Sequence, residues 1–145
     1  MVSWSKYIIG LMLFAVAMFG ACKKEDEVDK KQVEHDQIEQ YVTDNNLNGY
    51  FTASGLYYIV VEEGTGGHPV LSSKVTVAYK AYGFDGIVRD ESDYFTSQLE
   101  NLILGWQESI PLMKEEGTSQ LIVPSHLAYN DGIWVFDVTL FAFAK

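Results

Sequence analysis

The chain has 145 residues, of which 48% are hydrophobic and 21% charged, a composition that supports one packed domain and excludes wholesale disorder. Its 20 acidic and 10 basic side chains give a formal net charge of -10, which argues against nucleic-acid binding and against electrostatic docking on anionic lipid, because both need a basic face. The single cysteine cannot form an internal disulfide, and His35, His68 and His126 lack the spacing of metal ligands, so we expect no metal and no cofactor.

An uncharged apolar run at residues 7–19 follows Lys6 and ends shortly before Cys22. The run is shorter than the roughly 20 residues that span a bilayer, and it has the length of the hydrophobic region of a signal peptide. Small residues directly precede the cysteine, which resembles a bacterial lipoprotein signal. We therefore expect residues 1–21 to be removed and Cys22 to carry palmitate-type acyl chains. The alternative is an ordinary cleaved signal with an incidental cysteine.

Charged residues follow the cysteine, and segment 22–30 has no apolar periodicity, which predicts a solvated tether. Its order of cysteine, lysine and acidic residues resembles the surface-export signal of lipoproteins in Bacteroidota.

Three apolar side chains, Ile38, Tyr41 and Val42, then lie at helical spacing, which predicts an amphipathic helix at residues 31–46. The helix lies within a helix-and-linker region at 31–52. Its apolar stripe is narrow, so we expect loose packing, and we expect the remainder of the chain to fold without it.

The remainder, residues 53–145, is predicted to form one domain of short strands. Aromatic and β-branched residues predict strands at 56–61, 74–82, 118–124 and 133–143, and Asp85-Gly86 predicts a hairpin after the second of them. Apolar spacing over residues 102–113 predicts one short helix, which Pro111 terminates. The predicted class is α+β, with antiparallel strands and one internal helix.

Several motifs follow one another in a fixed order along residues 55–143. They are Gly55-Leu56-Tyr57-Tyr58, Asp85-Gly86 with Asp90, Leu102-Ile103-Leu104-Gly105-Trp106, Pro124-Ser125-His126-Leu127-Ala128-Tyr129 and Val135-Phe136-Asp137-Val138. The ordered set resembles the FKBP-type peptidyl-prolyl cis-trans isomerases. The resemblance implies the family's fold, a twisted antiparallel sheet wrapped over one short helix, and its activity, the rotation of X–Pro peptide bonds without a cofactor.

The resemblance also implies a proline site, which is an apolar and aromatic pocket between helix and sheet. Carried over by position, the residues are Trp106 as the floor, Leu102 and Ile103 as the edge, Tyr79, Phe95 and Phe136 as walls, Tyr129 as a hydroxyl that bonds a substrate carbonyl, and Asp90 as a carboxylate on the buried side near Tyr79. Tyr79, Asp90 and Tyr129 are then the catalytic residues and the others bind substrate. The alternative is that the apolar residues belong to an ordinary core and that the tyrosines are ordinary sheet residues.

Three features depart from the family pattern. Arg89 precedes Asp90, where the family usually has an apolar aromatic, so Arg89 is predicted to contact substrate at a charged pocket wall. Because an unpaired buried guanidinium is costly, Arg89 is expected to turn outward or to pair with a carboxylate, Asp90 being the nearest in sequence. Segment 91–94 is short, which removes the customary arginine partner of the aspartate. Residues 130–132 replace the long loop that usually overhangs the pocket, so a shallower, wetter pocket is expected.

Two functions of different classes remain open at this point. The first is a peptidyl-prolyl isomerase and folding factor for envelope or secreted proteins, with proline-containing polypeptides as clients. The second is a catalytically weak FKBP-like binding module or chaperone subunit of an envelope assembly, which requires a partner protein. The intact set of Tyr79, Asp90, Trp106, Tyr129 and Phe136 favours the first, whereas Arg89 and the shortened loop favour the second. Both place the chain in the bacterial cell envelope, anchored by lipid at the outer membrane, on its periplasmic or surface face.

Overall fold

The computed structural model describes residues 22–145, which contain two α-helices and six strands. The predicted signal peptide at residues 1–21 lies outside these residues. The helices are α1 (Cys22–Asp44) and α2 (Leu104–Ser109), and the strands are β1 (Tyr50–Phe51), β2 (Tyr57–Glu62), β3 (Lys74–Tyr82), β4 (Val88–Gln98), β5 (Thr118–Val123) and β6 (Trp134–Ala144).

The strands form one antiparallel sheet in the order β1-β2-β5-β6-β3-β4. Strands β3 and β4 form the hairpin that the Asp85-Gly86 pair predicts, and Gly86 takes a φ of 73°, a conformation that glycine adopts without steric cost. The α+β class and the antiparallel sheet predicted from the sequence are therefore confirmed.

One face of the sheet, the front face, packs around α2. Alternate residues of β3 and β6 point to this face, as expected for strands buried on one side, and Val75, Val77 and Phe136 are among its buried members. Helix α2 lies close to β5 because Gly105 has no side chain; a Cβ atom there would meet the Val123 side chain at 2.5 Å. The one short internal helix predicted from residues 102–113 is confirmed, although its α-helical part is confined to Leu104–Ser109.

The opposite, back face of the sheet is covered by α1. Ile38 is 0% exposed and Val42 is 7% exposed, and both pack in a second core cluster with residues that point to the back face. The sheet residues of this cluster are Tyr57, Ile59, Ile122 and Val135. The prediction of loose packing is wrong, because a narrow apolar stripe is sufficient when all of its residues enter a complementary face.

One hydrogen bond and one aromatic stack also hold α1 in place. Glu34 is buried, and its Oε2 accepts a hydrogen bond of 2.9 Å from the backbone N–H of Ser125, in the turn after β5. Tyr41 stacks on Phe84 of the β3–β4 hairpin, with ring centroids 4.1 Å apart and planes 5° apart. Helix α1 is thus joined to two separate loops as well as to the sheet.

The helix also begins earlier than predicted. Segment 22–30, predicted to be a solvated tether, is the first part of α1. The segment is rich in Lys and Glu, which have high helix propensity, and it contains neither Gly nor Pro. The predicted end is confirmed, since α1 stops at Asp44 and Asn46 takes a φ of 52°. No helix within residues 22–145 is long and apolar enough to cross a bilayer.

Candidate active site

Eight of the nine predicted catalytic and substrate-binding residues line a single cavity of about 360 Å³ between α2 and the front face of the sheet. They are Tyr79, Asp90, Phe95, Leu102, Ile103, Trp106, Tyr129 and Phe136. Asn101 also lines this cavity, and no feature of the sequence marked it. We call this space the proline cavity, after the ring that the sequence resemblance assigns to it.

Aromatic rings form the floor and walls of the proline cavity. Trp106, in α2, contacts Tyr79 edge-to-face at 5.2 Å and Phe136 edge-to-face at 5.5 Å between ring centroids. Phe95 contacts the other side of Tyr79 at 5.8 Å with planes 80° apart. Trp106 is 4% exposed and Phe136 is 2% exposed, so both belong to the core as well as to the cavity. These interlocked rings make the cavity preformed.

The indole nitrogen of Trp106 is buried, and it has no hydrogen-bond partner among the described residues. Buried polar groups usually have a partner, so this donor raises the free energy of the empty site. An acceptor on a ligand within reach of the indole would remove that cost.

Two tyrosine hydroxyls lie at the proline cavity. The hydroxyl of Tyr79 donates a hydrogen bond of 2.7 Å to Asp90 Oδ2. Burial, together with the hydrogen bond and negative charge of Asp90, raises the pKa of Tyr79 to about 12. Burial, followed by the charges of Asp90 and Asp131, also raises the pKa of Tyr129. Both phenols are therefore protonated at neutral pH. Tyr129 is 54% exposed, which places its side chain at the mouth of the cavity.

The raised pKa of Tyr79 leads to a testable prediction. Asp90→Asn should lower this pKa, because the burial remains while the carboxylate charge that opposes ionisation is removed. Ultraviolet titration of the tyrosines, with Tyr79 assigned by comparison with Tyr79→Phe, measures the shift. The control is Glu91→Gln, which removes a carboxylate from the opposite face of the same strand. A Tyr79 titration that is the same in Asp90→Asn and wild type would contradict the assignment.

The same shift has a consequence for stability. The folded-state pKa of Tyr79 lies above the ordinary value of 10, so the protonated hydroxyl stabilises the fold below pH 10. This contribution should be lost as the pH rises from 10 to about 12.

The structure corrects two predictions about β4. Arg89 does not line the proline cavity, because consecutive residues of a strand point to opposite faces and Asp90 points to the front. The outward turn of Arg89 is confirmed, but its partner is Asp85, whose Oδ2 lies 2.8 Å from Arg89 Nη2. Asp90 is exposed rather than on the buried side, although its predicted closeness to Tyr79 is confirmed.

A tryptophan that no sequence motif marked, Trp134, packs behind two residues of the proline cavity without lining it. Trp134, at the start of β6, packs edge-to-face on Tyr129 at 5.2 Å and lies 6.1 Å from Phe136 with planes 22° apart. Its Nε1 donates a hydrogen bond of 2.8 Å to Asp131, and Arg89 lies over its outer face at 5.5 Å. The signal was present, since Trp134 precedes Phe136 by two residues and therefore shares its face of the strand.

The geometry of this site can now be compared with known proteins. Residues 66–134 match the family model of the FKBP-type peptidyl-prolyl cis-trans isomerases. A probable FKBP-type peptidyl-prolyl cis-trans isomerase, FkpA, from Neisseria meningitidis is 39% identical over 84 residues, which are 55% of this chain and 31% of that protein. The outer membrane protein MIP of Legionella longbeachae is 39% identical over 81 residues, 53% of this chain and 35% of that protein. The chain thus spans about a third of the length of these relatives.

Solved structures show the same architecture. The crystal structure of FkpA from Escherichia coli superposes with a TM-score of 0.70 at 28% identity, covering 86% of this chain and 64% of that one. A peptidyl-prolyl cis-trans isomerase from Pseudomonas syringae superposes with a TM-score of 0.68 at 22% identity, covering 79% of this chain and 96% of that one, which supports the fold.

Proposed function

We propose that the chain, whose residues 66–134 match the family model of the FKBP-type peptidyl-prolyl cis-trans isomerases, rotates X–Pro bonds of polypeptide clients in the proline cavity. The observation that carries this proposal is the convergence of eight side chains, assigned beforehand to a proline site, on one preformed aromatic cavity. Of the nine residues assigned to the site, Arg89 is the one that lies outside this cavity, where it pairs with Asp85.

The chemistry needs a dry and rigid pocket more than it needs a reactive group. Rotation about an X–Pro bond has a barrier of roughly 20 kcal/mol because the planar amide is stabilised by resonance. The twisted transition state has lost this resonance and is less polar than the planar amide. An apolar site therefore favours the transition state over the ground state, and every ~1.4 kcal/mol of such preference gives about a tenfold rate.

Each wall of the proline cavity has a task in this mechanism. Trp106 and Phe136, which pack edge-to-face on each other, form the apolar surface that holds the proline ring while the preceding carbonyl rotates. Tyr129, protonated and at the mouth, donates a hydrogen bond to a client carbonyl and fixes the chain on one side of the rotating bond. Asp90 accepts the Tyr79 hydrogen bond and thereby fixes the orientation of that ring. No covalent intermediate is required.

A proline-isomerisation assay tests the proposal. The full chain should accelerate cis-to-trans conversion of an X–Pro peptide and the refolding of a protein whose rate is limited by proline. If the chain accelerates neither reaction, the proposal of an isomerase is rejected. The second candidate, an FKBP-like binding module or chaperone subunit, is favoured by the short turn at residues 130–132 and by the exposure of Tyr129, which leave the cavity open to solvent. Binding of the same peptide without acceleration would support that candidate.

The place of action is proposed from the sequence and from the relatives. We propose a cell-envelope protein with a signal peptide at residues 1–21, a helix and linker at 22–52 and the isomerase domain at 53–145. The apolar run before Cys22 and a relative named as an outer membrane protein support this proposal. Cys22 is proposed to carry the lipid that attaches the chain to the outer membrane, on the periplasmic or the surface face.

Replacement of the cysteine tests the anchor. Cys22→Ser should move the protein from the membrane fraction to the soluble fraction or leave it unprocessed, because no acyl chain can then be attached. Membrane fractionation and intact-mass measurement detect both outcomes. The control is Val28→Ala, an exposed position of α1, which should remain with the membrane. A wild-type mature mass without lipid would refute the anchor.

A further inference from the structure

A second and larger cavity lies beside the proline cavity. Its volume is about 610 Å³, and it is enclosed by α1, the β3–β4 hairpin and the turn that precedes β6. We call it the helix–hairpin groove. Tyr41 from α1 and Phe84 from the hairpin, which stack on each other, contribute aromatic surface to it, and so does Trp134.

No described residue lines both cavities, but one aromatic ring of the groove packs directly on two rings of the proline cavity. Trp134 lines the helix–hairpin groove, and its ring packs on Tyr129 and Phe136, which line the proline cavity. The centroid of the Trp134 ring lies 5.2 Å from that of Tyr129 and 6.1 Å from that of Phe136. An extended chain advances about 3.3 Å per residue, so roughly two or three residues of a client exceed the distance from these rings of the proline cavity to Trp134.

The groove has an excess of negative charge. Four carboxylates line it, Glu34, Asp44, Asp85 and Asp131, and the lining cation, Arg89, is already paired with Asp85 at 2.8 Å. Asp44 accepts a hydrogen bond from the Gln40 amide and Asp131 accepts one from the Trp134 indole. Both donors are neutral, and the charges of Asp44 and Asp131 have no salt-bridge partner among the described side chains, those of residues 26–145.

Aromatic surface beside unneutralised carboxylates suits one kind of side chain. Lys and Arg place an apolar stem along apolar surface and a cation at its end, and the cation is also attracted to aromatic faces. An acidic side chain would be repelled, and Arg89 does not relieve this repulsion because its guanidinium is engaged by Asp85 and Trp134.

We propose that the helix–hairpin groove is a specificity subsite for clients that have Lys or Arg two or three residues from the isomerised proline. The proposal rests on the proposed isomerase function, and it adds the substrate class. Asp44 and Asp131 bind the cation, Trp134 supports the client chain between the two cavities, and the pair of Tyr41 and Phe84 closes the far side of the groove.

A peptide series tests this subsite with the full chain. The peptides share one X–Pro core and carry Lys, Gln or Glu at the second or third residue on either side of the proline. We expect kcat/KM for the Lys peptide to exceed that for the Gln peptide by about two- to fivefold on one side, and the Glu peptide to be the poorest. Added salt should reduce the difference, because exposed charges are screened.

The chain offers a matched pair of variants. Asp44 and Asp36 are both exposed residues of α1, and each accepts a hydrogen bond from the Gln four residues earlier, but Asp44 lines the groove and Asp36 does not. Asp44→Asn should reduce the Lys preference toward unity, whereas Asp36→Asn should preserve it. Equal loss in both variants would indicate a general effect of net charge and would overturn the subsite.

The remaining outcomes separate this inference from the proposed function. Turnover of the Gln peptide with no preference for Lys, or with a preference for Glu, overturns the subsite and leaves the isomerase in place. If none of the peptides is turned over, the proposed isomerase function and the subsite are both rejected. A Lys preference that Asp44→Asn alone removes supports the subsite.

Discussion

The Ile38→Ala variant is expected to lose about 2–4 kcal/mol of unfolding free energy, a large part of what holds a domain of this size folded. Ile38 is 0% exposed and lies at the centre of the contact between α1 and the back face of the sheet. Its removal leaves a cavity against Ile59 and Val135, because the strands cannot close over it.

Urea denaturation followed by circular dichroism measures this loss. The control is Val33→Ala, on the same helix but 54% exposed, which should change the unfolding free energy by less than about 0.5 kcal/mol. Equal stability of Ile38→Ala and Val33→Ala would mean that α1 does not contribute to the core.

A fragment that begins at Ala53 extends the same argument. It lacks all of α1, so Tyr57, Ile59, Ile122 and Val135 become exposed together. The sequence alone led to the expectation that such a fragment folds independently. The buried second cluster leads to the opposite expectation, that the fragment unfolds without a cooperative transition. A sharp transition at the wild-type denaturant concentration would instead show that the fragment folds independently.

The Trp106→Leu variant is expected to lose about 2–3 kcal/mol of transition-state stabilisation, which corresponds to a decrease in kcat/KM of roughly 30- to 150-fold. Trp106 is the residue against which both Tyr79 and Phe136 pack edge-to-face, so leucine removes the floor and loosens two walls. The fold should persist, because leucine remains apolar and its introduction eliminates the buried indole N–H that has no partner.

Isomerisation kinetics and far-ultraviolet circular dichroism, measured on the same preparation, separate activity from folding. Phe141→Leu is a suitable control, since it shortens an exposed aromatic of β6 that does not line the proline cavity. Wild-type kinetics in a folded Trp106→Leu protein would assign this residue to the core alone.

The sequence predicted the sheet because its strands are rich in aromatic and β-branched residues and because Asp85-Gly86 specifies a turn. It predicted the residues of the proline cavity through the ordered motifs, which fix positions along the chain. The extent of strand β4 beyond the hairpin turn was not predicted, because β4 is an edge strand whose residues are mostly exposed and polar. The two-residue strand β1 is too short to produce a periodic pattern.

The errors concerned partners that the chain brings together only after it folds. Nearness in sequence paired Arg89 with Asp90, whereas the turn of the hairpin places Asp85 against it. The narrow apolar stripe of α1 indicated weak packing, because the sequence does not show that Ile38 packs against residues on the back face of the sheet. The charged start of α1 has no periodicity, so propensity was the only signal for its helix.

The helical start of α1 sets the distance between Cys22 and the domain that is proposed to bind clients. Glu34, the first buried residue of the described part of α1, lies twelve positions after Cys22. As a helix this stretch spans about 18 Å at 1.5 Å per residue, whereas the same length of flexible chain would sample separations from near zero to about 40 Å. If Cys22 carries the proposed lipid, the domain is held at a nearly fixed distance from its anchor. Polypeptides that pass within that distance of the membrane then meet it at a high local concentration, while those farther away remain out of reach.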